Sequence, residues 1–453
     1  MLITLECVIL ALQTVAAVRL ALDSPSGITS QSSNRLSKRS PVELGRDADQ
    51  CFTIKSNVNG VNLNLLVESE APGIIVPLPS SSDDVGLAIQ SISSGEPFII
   101  KYRDKQYKGV TSTAAVTIPG TGITDIKLPV IAVEKQSADS VGIDPEFDGI
   151  FGFAYSSLSK YHTSVPAMDV LYNGNTIPNN EIGIQLCPYD MISNSFINIG
   201  NTDITAKCGT DGRSVAWVNS PSDDRHTVNI KNILVNGKQV DLPVEFQKKE
   251  ENGRTLYSVI QTCCTFMHFP RTVVTALSKR KLNKEEIKRI FWEHHAMPRS
   301  NFHIDWSKLP SFTIVMFAQT PVTDDNSNSV VKITLGSKDY MQKIDSEKFV
   351  FAVTAGPNDY AVLGISFMTR LAVTFDLQNK RIGFAPGCGC EVATDGYPTI
   401  SNGDQVLWSP SQLPEQPSTS GLGRTSTLRR LSRLGSTLRG TKRSKVSYEK
   451  FEG

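Results

Sequence analysis

Two short segments of the chain carry side chains that could do acid–base chemistry. Glu68-Ser69-Glu70 follows the strand-like run 63–67, and Gln261-Thr262-Cys263 follows the run 258–260. Hydrolysis by paired carboxylates needs two of them about 3 Å apart with one shared proton, because like charges this close cannot both ionise. Glu68 can ionise, but Gln261 can only donate and accept neutral hydrogen bonds. The two segments therefore carry hydroxyls without a matched pair of acids.

Glu68 and Glu70 are the alternative source of a carboxylate pair. They lie two residues apart in a predicted loop, where carboxylates more often face solvent separately, so this arrangement is the minor hypothesis. His268 follows the second segment closely. We expect a structural role for it, because the sequence offers no serine or cysteine geometry that would make it a catalytic base.

The cysteines indicate disulfides and no metal site. Of eight cysteines, Cys7 lies in an N-terminal apolar segment that we expect to be removed. Seven then remain, so at least one thiol lacks an intrachain partner. The spacing contains no zinc-type pair of CxxC elements, and we expect neither a metal nor another cofactor. The adjacent cysteines Cys263 and Cys264 could bond to each other, bond elsewhere or stay reduced. The sequence leaves open the disulfide partners of five cysteines: Cys51, Cys208, Cys263, Cys264 and Cys390.

Short strands dominate the predicted secondary structure. Asn59-Gly60 and Asn236-Gly237 each separate two strand-like runs, which is the strongest short-range hairpin signal in a sequence. Helical spacing is scarcer, and residues 273–294 are the best candidate for a helix. Many short strands with few helices indicate an all-β architecture of two lobes.

The N-terminus has the features of a secretory signal. Residues 1–18 contain an apolar run too short to span a bilayer, followed by small residues. The start of this run lacks Lys and Arg and contains Glu6, so a buried or amphipathic helix is the alternative. Residues 19–46 form a propeptide-like segment with a dibasic pair, Lys38-Arg39, that suits processing. No later stretch could cross a membrane, so we expect a protein that is secreted or reaches a secretory or endolysosomal compartment.

Residues 391–453 differ in composition from the rest. Their first part is rich in Pro, Ser, Gln and Gly, which predicts a disordered linker. From Arg424 to the end, nine Lys and Arg stand against two Glu, although the whole chain has a formal net charge of +1. Leucines recur at near-helical intervals between residues 428 and 438. The tail is either a basic amphipathic element for an anionic surface or a solvated disordered segment.

Four segments in the family's order resemble the pepsin-like aspartic peptidases (peptidase A1), with the β-secretase branch nearest. They are the frame of the first active-site loop, the loop after the flap, the frame of the second active-site loop and the C-terminal signature: 63–67 with Val76-Pro77, 147–155, 258–260 with Pro270, and Val362-Leu363-Gly364 with 373–385. The resemblance runs from about residue 51 to residue 390. It implies an all-β, bilobal fold with a central cleft and few short helices, with an N-terminal lobe at 47–207 and a C-terminal lobe at 208–390.

The resemblance places Glu68 and Gln261 at the positions of the two catalytic aspartates. In the family, one carboxylate activates a water and the other, protonated, stabilises the carbonyl oxygen. Glu68 carries an extra methylene and Gln261 cannot hold the shared proton, so both positions are predicted to be non-functional. Glu70 and Cys263 replace the adjoining glycines, and each places a Cβ where the backbone should approach the acids closely.

Other positions keep the residue types that the family uses. Ser69 and Thr262 stand where hydroxyls hold the two loops together, and Tyr102 stands at the flap tyrosine that covers a bound peptide. The resemblance also implies a disulfide between Cys187 and the C-terminal segment, with Cys388 in preference to the cysteine two residues later.

Three functions are compatible with these residues. The leading one is a catalytically inactive aspartic peptidase homologue that binds a peptide or protein in its cleft, as a monomer. The second is an active endopeptidase with an unconventional dyad that uses Glu68. The third is a stable carrier whose basic tail binds a polyanion or a membrane surface. We expect no nucleic-acid partner and no transmembrane segment.

Overall fold

The computed structural model describes residues 18–21, 51–77, 95–102, 105–119, 121–133, 148–158, 166–188, 195–200, 215–251, 253–278, 297–298, 309–343, 348–387 and 396–407. The start of the predicted signal, the pair Lys38-Arg39 and the basic tail lie outside these residues, so the interpretations placed on them stay predictions.

Strands make up most of the described structure, because apolar and β-branched residues alternate over short runs. The first strands in chain order are β1 (Val18–Ala21), β2 (Thr53–Val58), β3 (Val61–Glu68), β4 (Ile74–Pro77), β5 (Pro97–Tyr102), β6 (Lys105–Thr117), β7 (Ile126–Val133), β8 (Gly149–Gly152), β9 (Glu181–Gln185) and β10 (Phe196–Ile199). The strands that follow are β11 (Ala216–Asn219), β12 (Thr227–Val228), β13 (Ile230–Val235), β14 (Lys238–Gln239), β15 (Glu250–Glu251), β16 (Arg254–Thr255), β17 (Ser258–Ile260), β18 (Met267–Phe269), β19 (Met297–Pro298), β20 (Phe312–Phe317), β21 (Val330–Leu335), β22 (Met341–Lys343), β23 (Lys348–Phe351), β24 (Val353–Ala355), β25 (Val362–Leu363), β26 (Leu371–Asp376), β27 (Arg381–Pro386), β28 (Thr399–Asn402) and β29 (Gln405–Leu407).

Helices are few and short within the described ranges. They are α1 (Ala167–Asn173), α2 (Arg271–Ser278), α3 (Ser337–Tyr340) and α4 (Ile365–Met368), with a 3-10 turn at Ser156–Leu158. Helix α2 covers the first part of the helix predicted at 273–294, and residues 279–296 lie outside the description. None of the helices that the structure describes is long and apolar enough to cross a membrane. The predicted all-β class is confirmed.

The strands form four larger sheets. A seven-stranded sheet has the order β2-β3-β8-β4-β7-β6-β5, and a five-stranded sheet has the order β12-β17-β25-β18-β24. One six-stranded sheet, β1-β10-β9-β26-β27-β11, combines strands from both ends of the chain, and the other has the order β14-β13-β20-β21-β28-β29. The side chains between these sheets form one main apolar core, which rigidly supports the loops that leave the sheets.

Both predicted Asn-Gly hairpins are confirmed. The first turn joins β2 to β3, with Val58 opposite Val61, and the second joins β13 to β14, with Val235 opposite Lys238. All four turn residues have positive φ, 49° and 88° in the first turn and 49° and 71° in the second. Asn and Gly adopt this backbone most easily, and such turns match the twist of a hairpin.

The prediction of disorder was wrong for residues 399–407. Strand β28 pairs with β21, with Ile333 opposite Ile400, and β29 returns along β28. Ile400 and Leu407 are buried, and Gly403 takes the turn with a φ of 60°. The short alternation around Ile400 supplies a strand whose apolar side reaches the core, although the surrounding composition is polar.

Candidate active site

The two candidate segments occupy equivalent places in two sheets. Strand β3 runs parallel to β8 and ends at Glu68, opposite Gly152. Strand β17 runs parallel to β25 and ends at Ile260, opposite Leu363, just before Gln261. Each segment therefore leaves a sheet at the carboxyl end of a strand that has a parallel neighbour, where parallel pairing leaves room for a loop.

The hydroxyls of Ser69 and Thr262 join the two loops. The Ser69 N–H donates to Thr262 Oγ1 at 2.9 Å, and the Thr262 N–H donates to Ser69 Oγ at 3.1 Å. Each hydroxyl also donates to a carbonyl across the interface, Ser69 to Ile260 at 3.0 Å and Thr262 to Val67 at 2.8 Å. Both residues are buried. These four bonds hold the loops in a near two-fold arrangement in which the backbone N–H and the hydroxyl of both residues are satisfied.

Replacing Ser69 with alanine should lower the free energy of unfolding by about 1–3 kcal/mol, because the buried Thr262 N–H would lose its acceptor. Urea denaturation followed by circular dichroism measures the change. Ser329→Ala is the matched control at an exposed serine and should stay within about 0.5 kcal/mol of the parent. Equal losses in the two variants would contradict a role for the Ser69 hydroxyl in joining the loops.

Glu68 and Gln261, the two predicted dyad positions, differ in environment. Glu68 is 2% exposed, and its Oε1 accepts the Glu70 N–H at 3.0 Å. Gln261 is half-buried, and its N–H donates to the Leu363 carbonyl at 3.0 Å. The Glu68 carboxylate thus accepts a hydrogen bond from its own loop, and the other predicted dyad position, Gln261, carries an amide.

Glu70 is paired with a cation. Its Oε1 lies 3.8 Å from the Arg225 guanidinium, and its side chain is 24% exposed. This oxygen therefore faces a guanidinium from the segment between β11 and β12. The arrangement is unlike a carboxylate pair that shares a proton, which is what the Glu68/Glu70 hypothesis requires.

A disulfide fixes the second loop. Cys263, at a position where the family resemblance places a glycine, is bonded to Cys51, 212 residues away, with a Cα–Cα distance of 4.5 Å. Both cysteines are buried and share a small apolar cluster with residues of the seven-stranded sheet and of the loop between β3 and β4: Leu66, Ala71, Ile75, Ile131, Val133 and Ile150. This answers one of the pairings that the sequence left open, since the adjacent Cys263 and Cys264 are not bonded to each other.

A second group of polar residues lies beside this loop. Cys264 keeps its thiol, and its Sγ lies 3.3 Å from His268 Nε2. The Thr354 hydroxyl lies 2.8 Å from Nδ1 of the same ring. The premise that no cysteine geometry exists for His268 was wrong. The four-residue spacing between Cys264 and His268 was visible in the sequence, but the contact depends on how the loop returns into β18.

His226 packs against three aromatic side chains, two that follow β8 and one in β26. Its ring centroid is 5.4 Å from that of Phe153, 4.6 Å from Tyr155 and 4.8 Å from Phe375. The Nε2–H donates to the Phe153 carbonyl at 3.0 Å, which leaves Nδ1 without a hydrogen-bond partner among the described residues. Burial lowers the pKa of His226 to about 4, against the smaller opposite effect of the Phe153 carbonyl.

The remaining predicted site residues are placed only in part. Tyr102 is the last residue of β5 and pairs with Lys105 across the β5–β6 hairpin, and its side chain is outside the description. Cys187 is disulfide-bonded, and Cys388 lies outside the described residues, so this pairing stays a prediction. Within the described residues, no group of three potential metal ligands comes together.

One comparison with known proteins bears on the site. A family model described as eukaryotic aspartyl protease matches residues 88–387, which is well over half of the chain. The match includes the second loop, the Cys264–His268 pair and the closing strands β25 to β27.

Proposed function

Because the chain belongs to the eukaryotic aspartyl protease family, with its all-β pepsin-like fold, we propose that it is a catalytically inactive member of that family. Its function would be to bind a peptide or protein segment in a cleft between two lobes, residues 47–207 and 208–390. The protein would act as a monomer in a secreted, secretory or endolysosomal setting. The buried disulfide supports such a setting, because disulfides persist in oxidising compartments.

The amide at Gln261 is the observation that carries the proposal. Aspartic peptidase chemistry needs one proton shared by two carboxylates, and an amide can neither supply nor accept that proton at physiological pH. Glu68 cannot compensate alone, because the shared-proton state needs a second carboxylate. The Cys51–Cys263 disulfide also supports an inactive site, because it fixes the backbone two residues after Gln261, where the family resemblance places a glycine. The joining hydroxyls Ser69 and Thr262 persist, which supports selection for the scaffold.

The hairpin β5–β6 supports the binding part of the proposal. Its two strands pair from Pro97–Val110 to Tyr102–Lys105, and they extend from the seven-stranded sheet. A peptide laid beneath such a hairpin can bond through its main chain, which requires no catalytic group.

The test is a peptide library incubated with the processed protein from about pH 3 to pH 7, the range in which carboxylate dyads work. We expect no cleavage, whereas a statine-type peptide inhibitor should raise the melting temperature, because a ligand that binds only the folded state stabilises it. Cleavage by the parent, at a rate that Glu68→Gln abolishes, would establish the Glu68 endopeptidase instead. The absence of any melting shift across a panel of statine peptides would contradict peptide binding.

The positive control is a variant with the acids restored. It needs Glu68→Asp, Glu70→Gly, Gln261→Asp and Cys263→Gly, together with Cys51→Ala, because breaking the disulfide would otherwise leave a buried thiol. We expect acid-dependent cleavage from this variant and none from the parent. Its circular dichroism spectrum, compared with that of Cys51→Ala/Cys263→Ala alone, separates a folding defect from a chemical one.

A further inference from the structure

We propose that Cys264, His268 and Thr354 form a reactive-thiol site that takes up disulfide-containing ligands by thiol–disulfide exchange. This goes beyond peptide binding, which needs no covalent step, and it does not depend on it. The observation behind it is a chain of contacts: Cys264 Sγ to His268 Nε2 at 3.3 Å, and His268 Nδ1 to Thr354 Oγ1 at 2.8 Å. A nucleophile therefore contacts a base, and the base contacts a group that can orient it.

The sheet holds the base and its partner in register. His268 is in β18 and Thr354 is in β24, and the two are direct partners in the parallel pairing of these strands. On its other side, His268 pairs with Val362 of β25. Gly356 has room only for hydrogen at its Cα, because a Cβ there would lie 2.7 Å from His268 Cβ. The imidazole is thus placed by strands, which position side chains more accurately than loops do.

Cys264 differs in burial from its neighbour Cys263. Cys263 is 4% exposed and committed to the disulfide with Cys51. Cys264 keeps its thiol and is only partly buried, and His268 and Thr354 are partly buried as well. Reactive cysteines are partly exposed and adjoin a base, whereas buried cysteines in apolar surroundings are inert. Of the two adjacent cysteines, Cys263 is therefore buried in a disulfide, and Cys264 is a partly buried thiol beside a base.

The chemistry of exchange uses the groups that are present. The thiol has two acceptors within reach, the Phe266 carbonyl at 3.4 Å and His268 Nε2 at 3.3 Å. When Nδ1–H donates to Thr354 Oγ1, Nε2 is the unprotonated nitrogen, and of the two acceptors it is the one basic enough to take the proton. The resulting thiolate attacks one sulfur of the ligand's disulfide, so a new S–S bond forms on Cys264 as the ligand's S–S bond breaks. The departing thiolate keeps the electron pair and receives the proton from the imidazolium. No external oxidant is consumed.

A disulfide is the electrophile that this site favours. Exchange requires only a thiolate, a proton acceptor and access, whereas cleavage of an amide also needs donors arranged around the carbonyl oxygen. Cys263, the neighbour of Cys264, forms a disulfide with Cys51, and disulfides persist in oxidising compartments. Small disulfides and cystine-containing peptides occur in such compartments and are therefore the ligands that we infer.

The experiment uses the full chain and oxidised glutathione at pH 6, where an ordinary thiol is almost fully protonated. Mass spectrometry of the peptide that contains Cys264 measures the rate of mixed-disulfide formation. We expect His268→Gln to slow this rate about tenfold or more and Thr354→Val to slow it about threefold, with Thr354→Ser restoring the parent's rate. Cys264→Ser should abolish labelling of that peptide.

Three results would overturn the site. They are an unchanged rate in His268→Gln, a Thr354→Ser variant as slow as Thr354→Val, and glutathione attached to Cys51 or Cys263 in place of Cys264. Urea midpoints measured for each variant show whether it is folded. The serine and valine variants at position 354 keep the test decisive if His268→Gln does not fold, since they leave the strand register and the imidazole in place.

Discussion

Replacing both Cys51 and Cys263 with alanine will lower the free energy of unfolding by about 4 kcal/mol. The disulfide closes a loop of 212 residues, and such a closure removes a large part of the conformational entropy of the unfolded chain, worth about 3–5 kcal/mol. Alanine suits the site because the surrounding cluster is apolar, with Leu66 and Ile150 among its members. Urea denaturation at neutral pH, followed by near-ultraviolet circular dichroism, measures the loss.

Cys264→Ala is the matched control for that variant. It removes a sulfur from the next residue along the chain but leaves the disulfide intact, so we expect a change below about 1 kcal/mol. If the double variant also loses less than about 1 kcal/mol, the disulfide does not hold the second loop in the way described. In that case the Ser69–Thr262 hydrogen bonds would be sufficient to join the loops.

Acidification will destabilise the protein through His226 by about 3 kcal/mol between pH 6.5 and pH 4. The folded state holds the imidazole neutral among aromatic rings, with its pKa lowered to about 4 by burial. In the unfolded chain the group titrates near 6.5. Below pH 6.5 the unfolded state therefore binds a proton that the folded state does not. The free energy of unfolding decreases as the pH is lowered, until the pKa of the folded state is reached. Below about pH 4 the effect levels off.

The measurement compares the parent with His226→Gln at several pH values between 7 and 4. Glutamine has an amide N–H that can replace the donor to the Phe153 carbonyl but does not titrate. The parent's free energy of unfolding should fall faster than the variant's over this window, although other groups add a common slope to both. A constant difference between the two proteins would show that His226 does not titrate on unfolding.

Features that depend on neighbouring residues were predictable from the sequence. The turns at Asn59-Gly60 and Asn236-Gly237 follow from the positive φ that these residue types tolerate. The order of the flanking motifs also predicts which residues stand at the dyad positions, and this assignment stays a prediction. The bonds between Ser69 and Thr262 connect residues 193 apart, and they were expected only through resemblance to a family.

Features that depend on distant contacts were not predictable. Nothing in the spacing of the cysteines distinguishes Cys51 from other partners for Cys263, because a disulfide depends on positions in space and not along the chain. The pairing of Cys264 with His268 needs the loop to return beside its own strand, which no periodicity encodes. Strand β28 was not predicted because its four residues include only one apolar side chain, Ile400, and the surrounding sequence is polar. These residues form a strand because they pair with β21.

Strands β28 and β29 extend the described sheet beyond the end of the family match. The match to the family stops at residue 387, but β28 covers the outer side of β21 through four pairs, from Val331 to Thr334. A chain truncated at the family boundary would uncover the row of N–H and C=O groups on β21, together with the side chain of Ile400's partner, Ile333. Exposed strand edges of this kind recruit other chains. Shortened forms of the protein that stop before Leu407 should therefore aggregate more readily than longer ones.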